Sequence, residues 1–326
     1  MARNIAVGIG LAEYPFATAG GFWRWIDLCE AGGIDSFWQT DRLVSRHPIL
    51  ECLTALAAVA GRTRRMKLGM NVLSLAMRDP LLAAKQCATI DVLSEGRMLP
   101  GFGIGSPLAP EWEALGLDAR TRGARTDEAL EVIGRLWTEE RVDFAGRHFR
   151  MAGASIAPRP VQRELPMWIG GGSEAAVRRA ARFGTGWQAG PETPEQAGAV
   201  IAAIKRALAE TGRTIEEDHY GAGVPFLFGD PADPALRGAY DAYRARTGRA
   251  PGGYFAVGDA GTIVGRIGEY VAAGASKFIL RPVARDEEAM LSQTRRLIEE
   301  VLPRVAALWP KAGRAGALPD ASHGAA

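Results

Sequence analysis

Residues 166–187 (PMWIGGGSEAAVRRAARFGTGW) combine residue types and spacings that could bind an anion. A short apolar run, residues 167–169, has the length of a buried strand, and Gly170, Gly171 and Gly172 follow it. Ser173 is a good helix N-cap, and residues 174–183 have the apolar periodicity of a helix. A strand, a turn made of glycines and a capped helix predict an anion site, because unpaired backbone amides and the positive N-terminal end of the helix point at the same position. The alternative is an ordinary tight turn.

Further candidates come directly after other predicted strands. They are Asp41 and Arg42 after the second strand, Asn71 and Val72 at the end of the third, Gly103, Gly105 and Ser106 at the fourth, Trp187 at the sixth, and Arg281 at the eighth. An acid directly after a buried strand needs a partner or a ligand, or else it is an N-cap or a loop residue. Alternating glycines would let a flat ring lie against the backbone, or they ease the curvature of a sheet. His47 lies in a predicted strand-end loop, and imidazoles titrate near neutral pH, although a lone loop histidine is commonly just solvated.

These candidates need a scaffold that brings strand ends together, and the pattern of the whole chain predicts one. The predicted strands are residues 5–9, 34–39, 67–73, 97–104, 167–169, 186–189, 223–228 and 277–280, and the predicted helices are 22–31, 50–60, 80–93, 122–137, 174–183, 195–211, 263–273 and 287–308. This alternation predicts an α/β fold, and eight such units favour a closed (β/α)₈ TIM barrel over an open doubly wound sheet. We therefore expect one barrel domain over residues 1–310, with insertions after the fourth and seventh strands.

The first insertion contains a two-stranded excursion at residues 142–150, and the second is a polar region at residues 230–253. Residues 311–326 are small, Gly/Ala-rich and polar at the end, which predicts a disordered tail.

Composition excludes several classes of function. The net charge is +2 with scattered basic residues, which gives no nucleic-acid footprint. No apolar run approaches the ~18 residues of a membrane span, and the first residues lack the pattern of a signal peptide. Cys29, Cys52 and Cys87 have no CxxC spacing and read as small buried side chains in a reducing cytoplasm. No histidine or acidic cluster has the spacing of metal ligands, so we expect no metal.

Several motifs together resemble the bacterial luciferase-like superfamily. They are the run from Arg78 to Arg97 (RDPLLAAKQCATIDVLSEGR) with the GFGIG that follows, residues 125–137, PRPVQ at 158–162, the PMWIGGG stretch, and Val257-Gly-Asp with Ala273-Gly-Ala. The agreement extends from about Ile5 to Leu308 in the same order. This resemblance implies a luciferase-like (β/α)₈ barrel that binds FMN or its deazaflavin relative, coenzyme F420.

The resemblance also implies roles for matching residues. Asp41 resembles the acid beside the ring system in the F420-using branch. Asn71-Val72 matches a bulge that in relatives contains a non-proline cis peptide behind the ring. Gly103, Gly105 and Trp187 would contact the cofactor, and the four residues Gly170, Gly171, Gly172 and Ser173 would hold its phosphate.

Two positions depart from the family pattern. Arg42 stands where many relatives have histidine; it could stabilise an anionic ring, grip an acidic substrate or form a surface salt bridge. Ser106 and Pro107 stand where the F420-dependent sugar-phosphate dehydrogenases have glutamate, which argues against sugar-phosphate oxidation. We assign Asp41, Arg42 and His47 as catalytic candidates, and Ser106 and Arg281 as substrate-binding candidates.

The expected function is hydride transfer between F420 or FMN and a small organic substrate, with F420 favoured by the Asp41 pattern. One alternative is a two-component FMN monooxygenase supplied by a separate reductase, and another is a non-catalytic flavin- or anion-binding barrel. Arg178 or Arg179 could contact the acidic tail of F420, or they are plain helix surface. The family resemblance implies a homodimer, and the composition fits a cytoplasmic protein.

Overall fold

A ring of parallel strands forms the centre of the computed structural model, which describes residues 4–310. The strands are β1 Ala6–Leu11, β2 Ser36–Gln39, β3 Lys67–Met70, β4 Leu73–Ser74, β5 Met98–Leu99, β6 Gly101–Gly103, β7 Val142–Ala145, β8 Arg150–Ala154, β9 Trp168–Gly170, β10 Gly186–Ala189, β11 Tyr220–Phe228, β12 Ala256–Gly258 and β13 Lys277–Pro282. The α-helices are α1 Ala19–Ala31, α2 Cys52–Arg62, α3 Pro80–Leu93, α4 Glu111–Ala114, α5 Arg122–Thr138, α6 Glu174–Phe183, α7 Pro194–Thr211, α8 Leu236–Thr247, α9 Ala260–Ala273, α10 Glu287–Arg296 and α11 Leu302–Leu308, with a π-helical turn Leu297–Val301 joining the last two.

The ring closes on itself. β1 pairs in parallel with β13 on one side and with β2 on the other, and the ladder continues from β2 to β3 and from β3 to β5. β6 continues the line of β5 and pairs with β9, after which β10, β11 and β13 follow in turn. Two of the barrel strands are divided into two segments each. β3 and β4 form one of these strands, and β5 and β6 form the other. Eight strands therefore enclose the core, and the predicted luciferase-like (β/α)₈ barrel is confirmed.

Large side chains and glycines share the interior of the barrel. Trp38 and Trp168 meet edge to face, with ring centroids 5.9 Å apart, and they form an inner cluster with Leu99 and Ile279. The indole of Trp168 occupies the space beside Gly186, where an added Cβ would lie 2.6 Å from the ring. Because successive residues of a strand alternate between the two faces, the next inward positions lie one layer closer to the carboxyl ends of the strands.

Local signals explain several helix boundaries. Asp79 caps α3 by accepting from the Leu82 amide, and Pro80 occupies the first helical position. α3 and α6 begin and end where the sequence predicts.

The polar region predicted at residues 230–253 contains the helix α8, and it is followed by β12, which pairs with β11. This helix packs through Leu236 and Tyr243 on a cluster that includes Tyr254 and Phe255.

Within residues 4–310, no helix is long and apolar enough to cross a membrane, and no group of three or more His, Cys, Asp or Glu side chains could hold a metal ion. The three cysteines are free and buried. The predicted disordered tail, residues 311–326, lies outside the described residues.

Candidate active site

The inward positions nearest the carboxyl ends of the strands form a cup of polar side chains and glycines. Trp38 and Gly69 face the interior of the barrel. Side chains two positions apart on a strand lie on the same face, so Thr40 and Asn71 point into this cup. Gln188 and Arg281 point into it as well, because an added Cβ at Gly223 would lie 3.7 Å from Gln188 Nε2 and 4.0 Å from Arg281 Cζ. We call Thr40, Asn71, Gln188 and Arg281 the polar cup.

The polar cup is rich in hydrogen-bond donors. Asn71 Nδ2 and Thr40 Oγ1 are buried without a partner in the described structure. Gln188 Nε2 donates to the Ala189 carbonyl at 3.3 Å, which leaves its second N–H free. Arg281 donates to the hydroxyl of Tyr254, and its guanidinium remains partly exposed. Buried polar groups are normally satisfied, so these donors indicate a ligand with acceptor oxygens, and Gln188 Oε1, which is also buried without a partner, could accept from a donor of that ligand.

Val72 forms an apolar platform beside the polar cup. The Asn71-Val72 peptide is cis, and the barrel strand is interrupted there between β3 and β4. An added Cβ would lie 2.7 Å from Val72 Cγ2 at Gly103, and 3.0 Å from Val72 Cγ1 at Gly170. Real Cβ atoms essentially never approach as closely as 2.7 Å, so Gly103 makes room for the Val72 side chain, while a Cβ at Gly170 would need Val72 to shift by a few tenths of an ångström. The position of Val72 is therefore sufficient to explain a glycine at residue 103. The predicted contact of Gly103 with a cofactor stays a prediction.

Asp41 supports the segment that carries Asn71 and Val72. Its carboxylate accepts from the Ser74 amide at 2.8 Å and from two nitrogens of Arg78 at 2.9 and 2.6 Å. Glu51 also contacts Arg78, at 3.1 Å. Burial raises the pKa of Asp41, and the Arg78 guanidinium and the Ser74 amide act against that rise. With both oxygens engaged, Asp41 holds Ser74 and Arg78 in place, and its predicted catalytic and cofactor-binding roles remain predictions.

The loop of Gly170, Gly171, Gly172 and Ser173, which we call the glycine loop, lies at the start of α6. Gly171 has φ of +107°, a conformation that favours glycine, and its carbonyl accepts from the Trp187 indole at 2.8 Å. Ser173 caps the helix by accepting from the Ala176 amide at 3.2 Å. The amides of the first turn before Ala176 have no intrahelical partner and remain available to an anion.

Trp187 itself faces away from the polar cup. Adjacent strand residues alternate, so Gln188 points inward and Trp187 packs outward while its indole holds the glycine loop. Direct contact of Trp187 with a cofactor therefore remains a prediction without support from the geometry.

The remaining predicted residues have other partners. Arg42 is half-exposed and lies 3.4 Å from the buried carboxylate of Glu111, and Ser106 is exposed next to Gly105, which has φ of +74°. His47 is exposed, and its Nδ1 lies 3.6 Å from Glu13. The structure brings none of these groups together with the polar cup, and their assigned roles stay predictions.

The two arginines considered for an acidic tail lie on the outer side of α6. Arg178 forms an ion pair with Glu174, and Arg179 is buried and pairs with Asp127 at 2.6 Å. Both line a cavity of about 260 Å³ together with Arg182 and Phe183. Because each arginine already has a carboxylate partner, this cavity gives no net positive site.

Sequence reasoning missed Thr40, Gln188 and Tyr254. The alternation of inward and outward residues along each strand was available as a signal for the first two, since Gly186 and Gln188 share one face. Tyr254 follows the second insertion, and only long-range packing places its hydroxyl against Arg281.

The family model described as luciferase-like monooxygenase matches residues 10–256. The chain belongs to the luciferase-like monooxygenase family. The predicted family resemblance is thereby confirmed.

Among family relatives, an uncharacterized protein of Mycobacterium tuberculosis is 34% identical over 168 residues, which is 51% of this chain and 57% of that protein. The chain thus spans little more than half the length of the first curated relatives it matches. An F420-dependent glucose-6-phosphate dehydrogenase of Amycolatopsis mediterranei is 27% identical over 315 residues, with 86% of this chain and 92% of the relative covered.

Two solved structures share the fold of this chain. The monooxygenase RslO1 from Streptomyces bottropensis has a TM-score of 0.79 at 22% identity, covering 93% of this chain and all of that chain (100%). An F420-dependent secondary alcohol dehydrogenase in complex with an F420-acetone adduct also has a TM-score of 0.79, at 18% identity, covering 91% of this chain and 98% of that one.

Proposed function

We propose that this protein is an oxidoreductase that uses F420 or FMN to transfer a hydride to or from a small organic substrate. The observation that carries the proposal is the polar cup beside the Val72 platform and the glycine loop, all on the carboxyl face of the barrel. F420 is favoured over FMN because F420-dependent dehydrogenases recur among its curated sequence relatives.

The residues present fit such a cofactor. The unpaired Asn71 Nδ2 and the free N–H of Gln188 match the carbonyl oxygens of a flavin or deazaflavin ring. Val72 offers a partly exposed apolar surface on which a flat ring can rest. The first turn of α6, which follows the glycine loop, offers free amides and a helix N-terminus to a phosphate.

The chain's own residues then have distinct tasks. The cofactor supplies the hydride chemistry, and the protein binds, orients and shields it. Asp41 keeps the Asn71–Ser74 segment in position through Ser74 and Arg78. Arg281, held by the Tyr254 hydroxyl, presents a fixed positive charge to an acidic or carbonyl group of the substrate.

Binding and turnover experiments test the proposal. The purified protein is titrated with F420 and with FMN while absorbance and thermal unfolding are followed, and any chromophore released from it is identified by mass spectrometry. We expect micromolar binding of at least one of the two. If neither cofactor changes absorbance or stability at micromolar concentrations, the proposed function is wrong.

Candidate substrates then separate the reaction types. Alcohols and glucose-6-phosphate are offered with oxidised cofactor, and ketones with reduced cofactor, first under nitrogen and then in air. A cofactor absorbance change under nitrogen supports hydride transfer, whereas a change that requires oxygen and reduced FMN supports the monooxygenase alternative. Cofactor binding without turnover of any class would support the non-catalytic alternative. Because Ser106 and Pro107 stand where the resemblance places the glutamate of the sugar-phosphate dehydrogenases, we expect glucose-6-phosphate to be inert.

A further inference from the structure

A carboxylate lies at the edge of the glycine loop. An added Cβ at Gly172 would lie 2.6 Å from Glu192 Oε1, so this oxygen is a close neighbour of the loop backbone. Glu192 comes from the segment between β10 and α7, not from the loop itself. The Glu192 carboxylate thus lies directly against the Gly172 backbone, in the space that a side chain at this position would enter.

The position of Glu192 is fixed from several sides. Its Oε2 accepts from the Gly190 amide at 2.6 Å, and its backbone carbonyl accepts from the Tyr270 hydroxyl, also at 2.6 Å. The next residue, Thr193, is the N-cap of α7 and forms a capping box with Gln196. These contacts keep the carboxylate beside the glycine loop.

Its charge has no basic partner within residues 4–310. Asp41 is paired with Arg78, Glu111 with Arg42, and Glu174 with Arg178 on the exposed side of α6, but no Lys, Arg or His lies within ion-pair distance of Glu192. A net negative charge therefore remains next to amides that otherwise favour an anion. Repulsion at this distance grows with the number of charges on the ligand.

We propose that Glu192 is a specificity-determining residue that favours a singly charged phosphodiester over a doubly charged phosphomonoester at the glycine loop. This inference rests on the proposed function, and it names the cofactor: F420 carries a phosphodiester, whereas FMN carries a terminal phosphomonoester. The helix end and free amides balance one negative charge, and the second charge of the monoester faces the Glu192 carboxylate.

Direct binding of three ring compounds tests this inference without any turnover. Dissociation constants of riboflavin, FMN and F420 are measured by fluorescence at pH 8, where a phosphomonoester is doubly charged because its second pKa is near 6. They are compared for the wild type, Glu192→Gln and the control Glu195→Gln, which removes an equal charge from an exposed position in the first turn of α7. Riboflavin reports the ring site alone.

In Glu192→Gln we expect FMN to bind on the order of tenfold more tightly, F420 to change by a smaller factor, and riboflavin to bind as before. Glu195→Gln should leave all three constants unchanged. Glu192→Ala, checked by thermal unfolding, provides a second variant if the glutamine form does not fold. An equal change for FMN and riboflavin, or no change for FMN, overturns the inference while leaving the proposed function standing. If neither FMN nor F420 binds the wild type, the proposed function fails, and this inference fails with it.

Discussion

Replacing Gly103 with alanine tests which neighbour requires a glycine at this position. The new Cβ would lie 2.7 Å from Val72 Cγ2, and all atoms within 4 Å of it belong to Val72. Val72 would have to move away from the new Cβ, and such overpacking costs about 1–3 kcal/mol. Because Val72 is the proposed platform for the ring, we expect cofactor affinity to fall together with stability.

A second substitution separates steric conflict from cofactor contact. Val72→Ala removes both Cγ atoms and alone should cost about 1 kcal/mol, since the side chain is only partly buried. In the double variant the conflict disappears, so we expect it to cost about 1 kcal/mol as well, less than the sum of the single variants. The coupling should therefore be about 1–3 kcal/mol in favour of the double variant.

The cycle is measured by urea unfolding of the wild type and the three variants, followed by titration with F420 and FMN. Additive losses of stability would refute the steric explanation of Gly103. If the double variant recovers stability but binds cofactor less tightly than Val72→Ala, Gly103 also faces the cofactor directly, as the sequence predicts.

Three further substitutions test other parts of the site and scaffold. Gly171→Asp should abolish cofactor binding while the barrel stays folded, because it adds a negative charge at a φ of +107° for about 1–3 kcal/mol of strain; retained binding in the same titration would contradict the phosphate assignment. Asp41→Asn should lower the free energy of unfolding in urea by about 3 kcal/mol, because the largely buried guanidinium of Arg78 then keeps only Glu51 as a charged partner, whereas the exposed control Asp118→Asn should have no measurable effect. Gly61→Ala should stabilise α2 by about 0.5–1 kcal/mol, because nothing lies within 4 Å of the new Cβ; a lower melting temperature would count against the described packing.

Local sequence signals predicted most of the barrel. Caps, proline at the first helical position and glycine stops are written in consecutive residues, so α3 and α6 match their predicted bounds. The helix α8 was not predicted because most of its residues are polar. Its few apolar side chains pack on Tyr254 and Phe255, which are outside the helix. The third strand was predicted as continuous over residues 67–73, and the structure interrupts it at Asn71-Val72. Its apolar pattern continues through the break, so periodicity alone could not find it.

The site was predicted less completely than the fold. The glycine loop and Asn71-Val72 carry recognisable local patterns, and the structure places both on the carboxyl face of the barrel. Trp187 was predicted in place of its neighbour Gln188, because residue type alone does not show which side chain of a strand faces inward, whereas strand alternation does. Glu192 could not be found from the sequence, since its importance depends on a contact with Gly172, twenty positions away.

The acidic residues around the barrel mouth divide by whether their charge is compensated. Asp41 and Glu111 each lie against a guanidinium group, so the charge of each carboxylate has a basic partner. Glu192 is held only by backbone and hydroxyl donors, and its charge stays available to act on a ligand. Donors of the polar cup favour acceptor oxygens at the ring end, while Glu192 limits the charge tolerated at the glycine loop. A ligand that satisfies both conditions has an acceptor-rich ring and a phosphate with a single charge, which is why we expect F420 to bind in preference to FMN.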